Sequence, residues 1–399
     1  MTASTLRILH VSHTSLVSGA EHSLLDLVSE LDAVADVRLA APRGDLLDRA
    51  QRRGIPTSPM RHVELTFSTG ARTSARAARD AAAAARTLSG LLRRGQCDVM
   101  HANSVRATLF TAPVARAHRV PVVMHVRDVL PDTARGRMVR RSAAALATRI
   151  AAISRYVADS FCDGLPPALA GRVTVVDNPV DLGRFAVRDA TSRRAARREL
   201  GIADERPVLA IVGQITAWKG HDVALRTLAG VRTSHPDAVL LVVGEVKFTS
   251  SATTLDNTRF RRSLDQLAAE LGLAEGAVRF LGERDDIPRI LTATDLLLAP
   301  SSVEPFGRSI AEAMAVGVAV LATREGGPAE FVDDDRTGWL LDPRDARAWS
   351  ARASQLLDQP ARLGEIGLAA SDSVRTRFSR ERHATAMMEL LEAARHKPR

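Results

Sequence analysis

Short apolar runs that alternate with amphipathic segments constrain the fold of this chain more than any other feature. In the first half of the chain the apolar runs are LRILHVS, VRLAAP, VMHA, VPVVMHV, RIAAIS and VTVVDNPV. Runs this short, separated by helical segments such as AEHSLLDLVSEL, are typical of buried strands in right-handed strand–helix–strand units. Such units build a parallel sheet covered by helices, so we predict an α/β fold.

The same alternation starts again after a polar stretch. Residues 182–207 are rich in charge and have little strand pattern, and after them come the runs VLAIVG, AVLLVVGE, VRFLG, DLLLAPS, VAVLAT and GWLLD. A chain of 399 residues is also too long for one comfortable core. We therefore predict two Rossmann-like, doubly wound domains, residues 1–181 and 182–375, that face each other across a cleft. Residues 376–399 have apolar residues at helical spacing and are predicted to form a terminal helix.

Composition excludes several classes of protein. No window approaches the roughly 20 apolar residues of a membrane-spanning helix, because arginines interrupt the alanine-rich segments. The start, MTASTLRILHVSHTS, is typical of a first strand rather than a signal peptide. The only two cysteines, Cys97 and Cys162, lack the spacing of a metal knuckle or a redox pair. We therefore expect a cytoplasmic protein without a disulfide framework.

Arginine supplies nearly all of the positive charge, since the net charge is +9 and the only lysines are Lys219, Lys247 and Lys397. A basic surface favours anionic partners. Aromatic residues that could stack on bases make up only 4% of the chain, so we expect no nucleic-acid partner. The arginine-rich stretches Arg76–Arg94 and Arg135–Arg141 either contact an acidic membrane surface or are solvated faces, and we favour solvated faces.

The segment from Ser301 to Leu341 carries the most informative pattern. In SSVEPFGRSIAEAMAVGVAVLATREGGPAEFVDDDRTGWLL, a strand ends just before Glu304, and Gly307 precedes the helical run RSIAEAMA. Gly307 permits a close backbone approach, and the free N–H groups of the first helical turn favour a phosphate. Glu304 and Glu312 could flank a bound diphosphate and accept hydrogen bonds from sugar hydroxyls. The alternative is that both glutamates are solvated.

The segment LAIVGQITAWKGH brings a lysine close to the end of another predicted strand. The strand ends at Gly213 and Gln214, and Lys219 stands in the following loop, just ahead of a helix. An isolated lysine in this position is usually a surface charge. In a chain with so few lysines, a lysine at the carboxyl end of a buried strand is a better candidate for a diphosphate contact, where it would offset the charge of a leaving group.

Three residues of the first domain lie at predicted strand ends or turns. Gly19 stands at the turn of HVSHTSLVSGAEHSLLDL, and His101 and His125 lie near the ends of the runs VMHA and VPVVMHV. The alternatives are simple turn chemistry for the glycine and core positions for the histidines, and they stay open. A cluster with zinc-ligand spacing, a G-x-S-x-G motif and a P-loop are absent from the sequence, so we expect no metal ion.

The sequence resembles a known family along most of its length. The stretch EPFGRSIAEAMAVGVAVLATREGGPAEFV is similar to the signature of the large retaining glycosyltransferase family numbered four, whose members have the two-domain GT-B fold. SGAEHSLLDL, HANS, HVRDV, AISRYVADSF, VVDNPVDLGRF and VGQITAWKGHD support the resemblance. It implies that residues 1–181 form an acceptor-side domain, that residues 182–375 bind a nucleotide-sugar donor, and that the terminal helix crosses back to the first domain.

The resemblance also implies roles for particular residues. The candidate catalytic residues are Glu304, Lys219 and His125. The candidate donor-binding residues are Gly213, Gln214, Arg284, Asp285, Pro305, Phe306, Gly307, Arg308, Ser309 and Glu312. The candidate acceptor and loop residues are Gly19, His101 and Arg127. By the resemblance, Glu304 would contact the transferred sugar and Glu312 the ribose hydroxyls, and His125 would lie next to the reacting sugar. Lys219 and the backbone of residues 306–309 would hold the diphosphate, and residues 282–287 would approach the base.

Two positions depart from the family pattern. Gln214 stands where the family commonly has an arginine, so another arginine such as Arg308 or Arg324 would have to supply charge to the diphosphate. Ser18 and Gly19 stand where many relatives have two glycines, which leaves the approach of the acceptor open.

The resemblance implies transfer of a hexosyl group from a nucleotide-diphosphate sugar to an acceptor hydroxyl, with retention of configuration. The expected donors are UDP- and GDP-sugars, and no cofactor is expected. The acceptor would be a saccharide, a lipid-linked saccharide or a natural product. Two alternatives stay open, a sugar-nucleotide epimerase or hydrolase of the same fold and a non-catalytic nucleotide-sugar-binding protein. The sequence leaves the sugar, the base, the acceptor and the oligomeric state open.

Overall fold

The structure is a computed structural model that describes residues 5–63, 74–93, 97–247 and 257–396. Its contacts divide the chain into two compact units. The first unit is Met1–Pro179 together with Arg380–Arg399, and the second unit is Val180–Ser379. The sequence analysis placed the corresponding junctions after residues 181 and 375.

Strands and helices alternate along both units. The strands are β1 (Arg7–Val11), β2 (Asp36–Pro42), β3 (Thr57–Met60), β4 (Val99–Ala102), β5 (Val122–Val126), β6 (Arg149–Ala152), β7 (Val173–Val175), β8 (Val208–Val212), β9 (Val239–Val243), β10 (Val278–Gly282), β11 (Leu296–Ala299), β12 (Ala319–Thr323) and β13 (Trp339–Leu341). The helices are α1 (Gly19–Leu31), α2 (Asp45–Arg52), α3 (Ser74–Arg93), α4 (Val105–Ala117), α5 (Ala134–Leu146), α6 (Arg155–Cys162), α7 (Pro167–Ala170), α8 (Ala190–Glu199), α9 (His221–Val231), α10 (Asn257–Glu270), α11 (Ile287–Ala293), α12 (Arg308–Val316), α13 (Ala346–Leu357), α14 (Pro360–Arg377) and α15 (Arg380–Arg395).

Each unit contains one parallel, doubly wound sheet. In the first unit the strand order is β3-β2-β1-β4-β5-β6-β7, and it turns between β1 and β4. In the second unit the order is β10-β9-β8-β11-β12-β13, and it turns between β8 and β11. The carboxyl ends of the two strands at such a turning point are where ligands of these sheets bind. The predicted fold class, two Rossmann-like domains, is confirmed.

Every apolar run that was predicted as a strand forms one, and the structure adds β3, which was not predicted. The sequence of β3 is TSPM, and it contains a proline in place of an apolar run. Among the strands that the structure describes, it pairs with β2 alone, at the edge of the sheet. Proline is tolerated on an edge strand because one side of that strand needs no ladder hydrogen bonds.

Helices cover both faces of the first sheet. One cluster of buried apolar residues joins α1, α2 and α15, and it includes Leu24, Met387 and Leu391. A second cluster joins α3 and α4, and it includes Leu88 and Ala112. The terminal helix α15 therefore supplies part of the core of the first unit. Among the helices of the described residues, none is long and apolar enough to cross a membrane.

One of the two arginine-rich stretches is not a uniformly basic surface. Arg140 of α5 is buried, at 2% exposure, and its Nη1 donates a hydrogen bond to Ser160 O at 3.1 Å. The inclusion of Arg140 in a basic face was therefore wrong, because α5 packs this side chain inside the first unit. Arg137 is exposed and pairs with Asp132 at 2.8 Å. In the other stretch, Arg94 and the side chain of Arg76 lie outside the described residues.

A buried arginine of α8 ties the amino ends of two central strands together in the second unit. The Arg197 side chain is fully buried, and its Nε donates to Ala293 O at 3.1 Å and its Nη1 to Arg206 O at 2.8 Å. Its Nη2 lies 2.7 Å from Asp295 Oδ2, which also accepts a hydrogen bond from Val208 N at 2.8 Å. Val208 begins β8 and Asp295 precedes β11, so this network fixes the two strands that flank the turning point.

We expect the substitution Arg197→Met to lower the free energy of unfolding of the second unit by about 3 kcal/mol, because it leaves buried carbonyl oxygens without donors. Tryptophan fluorescence during urea unfolding measures this unit alone, since Trp218, Trp339 and Trp349 are the three tryptophans of the chain. The control is Arg336→Ala, which breaks an exposed pair with Asp333 and is expected to cost less than about 0.5 kcal/mol. Equal losses in the two variants would contradict the assignment.

Candidate functional site

Glu304 lies in the loop between β11 and α12, and the loop after β12 holds its backbone on both sides. Glu304 N donates a hydrogen bond to Glu325 O at 3.1 Å, and Gly327 N donates one to Glu304 O at 2.8 Å. Gly326 has a φ of 103°, and a Cβ atom there would lie 2.2 Å from Glu304 O. Glycine is therefore required where the two loops meet.

The Glu304 carboxylate is buried and receives two donors on one oxygen. Lys219 Nζ lies 2.6 Å from Glu304 Oε2, and Ser301 Oγ donates to the same oxygen at 3.0 Å. Lys219 follows β8 and Glu304 follows β11, the adjacent strands at which the strand order turns. The fold thus brings two candidate catalytic residues together, and it adds Ser301, which was not predicted.

Close packing around Lys219 fixes the direction of its side chain. A Cβ atom on Gly213 would lie 3.6 Å from Lys219 Cε, so the lysine stem runs past the end of β8. Lys219 Nζ lies 4.4 Å from the centre of the Trp218 ring, within range of a cation–π contact. Gly220 has a φ of 73°, and a Cβ atom there would meet Pro300 O at 2.2 Å. The ammonium group is therefore directed to the carboxyl edge of the sheet.

The amino terminus of α12 begins without a capping side chain. Gly307 precedes the helix with a φ of 97° in the left-handed region. Arg308 and Ser309 are the first two helical residues, so their N–H groups lie at the positive end of the helix dipole. Phe306 is buried and stacks near Phe331 and Phe378, with ring centres 5.5 Å and 5.3 Å away. This aromatic contact anchors the loop from Pro305 to Gly307.

The second candidate carboxylate also has a cation beside it. Glu312 lies one turn into α12 and is 8% exposed. Arg308 Nε donates a hydrogen bond to Glu312 Oε1 at 2.7 Å. Lys219 and Arg308 thus each form an ion pair with one of the two glutamates. An anion that binds here meets cations that are already held in place.

The remaining donor-side residues lie farther along the same edge or in its loops. The Arg284 guanidinium pairs with Asp286 through two contacts of 2.7 Å, and Asp285 O accepts a hydrogen bond from Arg184. Gln214 follows β8, and among the described residues its side chain makes no hydrogen bond. Arg324 donates to Leu340 O at 2.8 Å, toward β13. Of the two arginines considered as substitutes for Gln214, Arg308 is therefore the one at the helix terminus.

In the first unit, Gly19 is the first residue of α1. Glu21 lies in the first turn of that helix, and its Oε2 accepts hydrogen bonds from Ser18 N at 3.2 Å and Ser18 Oγ at 2.6 Å. Burial raises the pKa of the Glu21 carboxyl. The acidic side chain of Glu21 therefore already lies beside the amino terminus of α1.

Arg127 is a buried cation at the carboxyl end of β5. Its Nε and Nη2 donate to Asn103 Oδ1 at 3.0 Å and 2.8 Å, and its Nη1 donates to Asn178 Oδ1 at 2.7 Å. These amides come from the loops after β4 and β7. Arg127 therefore holds three strand ends of the first unit together.

His101 and His125 belong to a line of buried histidines. His101 Nδ1 lies 3.0 Å from His10 Nδ1, and His101 Nε2 lies 3.3 Å from His125 Nδ1. His383 of α15 stacks on His125 with ring centres 6.1 Å apart, and its Nδ1 donates to Asp177 O at 2.8 Å. Burial lowers the pKa of His10 and His383 to about 3, and burial is also the main cause that lowers the pKa of His101 and His125. All four rings are therefore neutral near pH 7.

The sequence contains a signal for this line that the sequence analysis did not use. His10, His101 and His125 are each the penultimate residue of their strand, in RILHV, VMHA and VVMHV. The strands β1, β4 and β5 are neighbours in a parallel sheet, and His10 pairs with His101 in register. Among the described residues no group of three or more His, Cys, Asp or Glu side chains could hold a metal ion.

We expect the first unit to lose stability as the pH falls below about 6.5. The buried histidines stay neutral in the folded chain down to a pKa of about 3 for His10 and His383. The unfolded chain binds more protons in this window, so the free energy of unfolding falls with falling pH, by up to about 1.4 kcal/mol per pH unit for each histidine. Hydrogen exchange of the β4 and β5 amides at pH 7, 6 and 5 measures the slope.

His383→Gln should reduce this slope, and replacement of the exposed His396 by Gln should leave it unchanged. Exchange protection that is independent of pH from 7 to 5 would contradict the prediction.

Family models match both units. Residues 17–184 match the model described as Glycosyltransferase Family 4, and residues 192–371 match the model described as Glycosyl transferases group 1. Together the two matches take in most of the chain.

Curated relatives match over about half of their own length. A D-inositol 3-phosphate glycosyltransferase of Nocardioides sp. is 34% identical over 232 residues, which are 56% of this chain and 49% of the relative. D-inositol 3-phosphate glycosyltransferase 2 of Catenulispora acidiphila is 36% identical over 200 residues, which are 49% of this chain and 45% of the relative.

Solved structures share the fold over nearly the whole chain. The structure of HepE of Anabaena in complex with UDP and glucose has a TM-score of 0.82 at 23% identity and covers 97% of this chain and 100% of that chain. Sucrose-phosphate synthase of Thermosynechococcus elongatus has a TM-score of 0.80 at 20% identity and covers 97% of this chain and 98% of that chain. At these identities the likeness concerns the fold alone.

Proposed function

The chain belongs to the glycosyltransferases of family 4 and group 1, with the two Rossmann-like units of the GT-B fold, and we propose that it transfers a hexosyl group from a nucleotide-diphosphate sugar to an acceptor hydroxyl. One observation carries the proposal. The Lys219–Glu304 ion pair, at 2.6 Å, lies at the turning point of the second sheet, and Glu304 is in the loop that leads into the uncapped amino terminus of α12. A cation, a carboxylate and a helix terminus together suit a sugar diphosphate.

The diphosphate would bind to the N–H groups at Arg308 and Ser309, where the helix dipole favours negative charge. Lys219 would contact the same diphosphate while it keeps its contact with Glu304. As the glycosidic bond breaks, negative charge grows on the leaving diphosphate, and a cation fixed in advance stabilises that charge without reorganisation. The Gly213 and Gly220 contacts described above keep Lys219 in this position.

The sugar hydroxyls would bind to the second oxygen of Glu304. Both described donors of this carboxylate, Lys219 and Ser301, contact Oε2, so Oε1 is the oxygen available to the substrate. Glu312 would bind the ribose hydroxyls once Arg308 shifts toward the diphosphate. The chain's contribution is then positioning and electrostatic stabilisation. Configuration is retained if the acceptor oxygen bonds to the anomeric carbon on the face from which the diphosphate leaves, and the leaving phosphate takes the acceptor proton.

The relatives suggest which substrates to test first. UDP-glucose is the first donor, since the HepE structures hold UDP and UDP-glucose. D-inositol 3-phosphate is the first acceptor, since the curated relatives are named for it. Saccharides and lipid-linked saccharides follow.

We expect one nucleoside diphosphate from the panel UDP, GDP, ADP, CDP and dTDP to raise the melting temperature, because a ligand that binds only the folded chain stabilises it by about 2.7 kcal/mol at 100 times its Kd. The shift should be absent with the nucleoside alone. It should be lost in Lys219→Met and kept in Arg289→Ala, which breaks an exposed pair with Glu199 elsewhere in the unit. A full shift in a folded Lys219→Met variant would remove Lys219 from the diphosphate site.

We expect Glu304→Gln to reduce kcat for hexosyl transfer by about 10²- to 10³-fold, the loss typical of one electrostatic contact to the transition state. The affinity for the nucleoside diphosphate should stay the same or rise, because Lys219 loses its carboxylate partner. Initial rates of transfer and the thermal shift measure the two effects separately. The exposed Glu365→Gln is the control, and a Glu304→Gln variant with normal kcat would contradict the role.

A further inference from the structure

Trp218 lies next to the lysine of the proposed diphosphate site, and the proposed function gives it no role. Its side chain is 36% exposed, whereas Trp339 and Trp349 are buried in the core of the same unit. Tryptophan is usually well buried, because its ring carries a large apolar surface. Burial of apolar surface therefore does not explain why an indole stands at this position, beside a candidate catalytic pair.

The backbone of Trp218 is tied to the loop that carries Glu304. Ser302 N donates a hydrogen bond to Trp218 O at 2.8 Å, and Ser302 lies two residues before Glu304. Trp218 itself belongs to a single helical turn, Ala217–Lys219, which ends at Gly220 with a φ of 73°. The indole therefore has a defined place relative to the Glu304 loop.

The Lys219 side chain folds back over the Trp218 ring. Neighbouring residues of a helical turn do not normally direct their side chains at each other. Lys219 Nζ nevertheless lies 4.4 Å from the centre of the Trp218 ring. Its side chain is 18% exposed, and Glu304 Oε2 is 2.6 Å away. Since the face of an aromatic ring attracts a cation, and that of tryptophan most strongly, the ammonium group contacts two attractive groups.

The carboxylate and the ring differ in what they take from the ammonium group. An ammonium group has three N–H donors. Among the described residues, Glu304 Oε2 is the one hydrogen-bond acceptor of Lys219 Nζ. The ring face attracts the charge through its quadrupole and offers no lone pair. A second carboxylate in the place of Trp218 would compete with a diphosphate for the ammonium group, whereas the indole leaves N–H donors for it.

We propose that Trp218 is a positioning residue for Lys219, whose ring face fixes the ammonium group and leaves its N–H donors for the leaving diphosphate of a sugar nucleotide. This inference rests on the proposed function for the identity of that ligand. A cation that is held in place before the reaction stabilises developing charge without reorganisation. Loss of the ring should therefore slow the chemical step more than it weakens nucleotide binding.

The scarcity of lysine provides a direct test in the whole protein without any ligand. Labelling with ¹³C-lysine gives signals from only Lys219, Lys247 and Lys397, and Lys219→Met identifies the signal of Lys219. Protons above the face of an aromatic ring shift upfield. We expect the Hε signal of Lys219 to be shifted upfield, to stay upfield in Trp218→Phe, and to return to the usual lysine position in Trp218→Leu.

Kinetics with UDP-glucose and D-inositol 3-phosphate give the second readout. We expect kcat to fall about tenfold in Trp218→Leu, the effect of one cation–π contact, with the UDP-induced thermal shift unchanged. Trp218→Phe keeps an aromatic face and should keep most of kcat. The control is Leu368→Ala, which removes another exposed apolar side chain of the same unit and should leave both readouts unchanged.

A Lys219 Hε signal without an upfield shift in the unchanged protein, or one that does not respond to Trp218→Leu, would overturn the inference. Unchanged kcat in Trp218→Leu would do the same, and so would equal losses of kcat in Trp218→Leu and Trp218→Phe, which indicate a packing role. Absence of UDP binding and of turnover in the unchanged protein would count against the proposed function alone, since the lysine spectra decide the contact independently.

Discussion

The candidate site of the second unit depends on one contact between two loops, the ion pair of Lys219 and Glu304. The two residues are far apart in sequence but follow β8 and β11, which are adjacent because the strand order turns between them. Each partner is fixed by glycines that allow backbone to touch backbone, Gly220 against Pro300 and Gly326 against Glu304. The buried Arg197 network holds the opposite ends of the same strands. The site is thus rigid at both ends of the strands that carry it.

The sequence pattern predicted the fold class, because the alternation of strand and helix periodicity occurs twice along the chain. It did not predict β3, whose sequence TSPM contains Pro59 and lacks an apolar run. It also placed Lys219, Glu304 and Gly307 at strand ends. It could not show that Lys219 and Ser301 donate to the same oxygen of Glu304, because that contact depends on which strands are neighbours. The same holds for His10 and His383, whose partners in the histidine line come from distant segments.

The fold explains part of the excess of arginine. Arg127, Arg140 and Arg197 are all buried, and they donate to side-chain amides or backbone carbonyls that the turns between strands and helices leave available. Guanidinium groups suit this use because each offers five N–H donors in a fixed plane. Net charge therefore overstates the basic surface of the chain. At the proposed donor site, this charge supplies two cations, Lys219 and Arg308, each paired with a carboxylate.

The return of α15 to the first unit affects how the chain folds during synthesis. Met387 and Leu391 are fully buried against α1, so one face of the first sheet lacks part of its cover until residues 380–395 have been made. The second unit, which is continuous from Val180 to Ser379, is complete before that moment. On the ribosome the later-encoded unit can therefore reach its final state first. Until then the nascent first unit exposes apolar surface, which makes it the natural target for a chaperone.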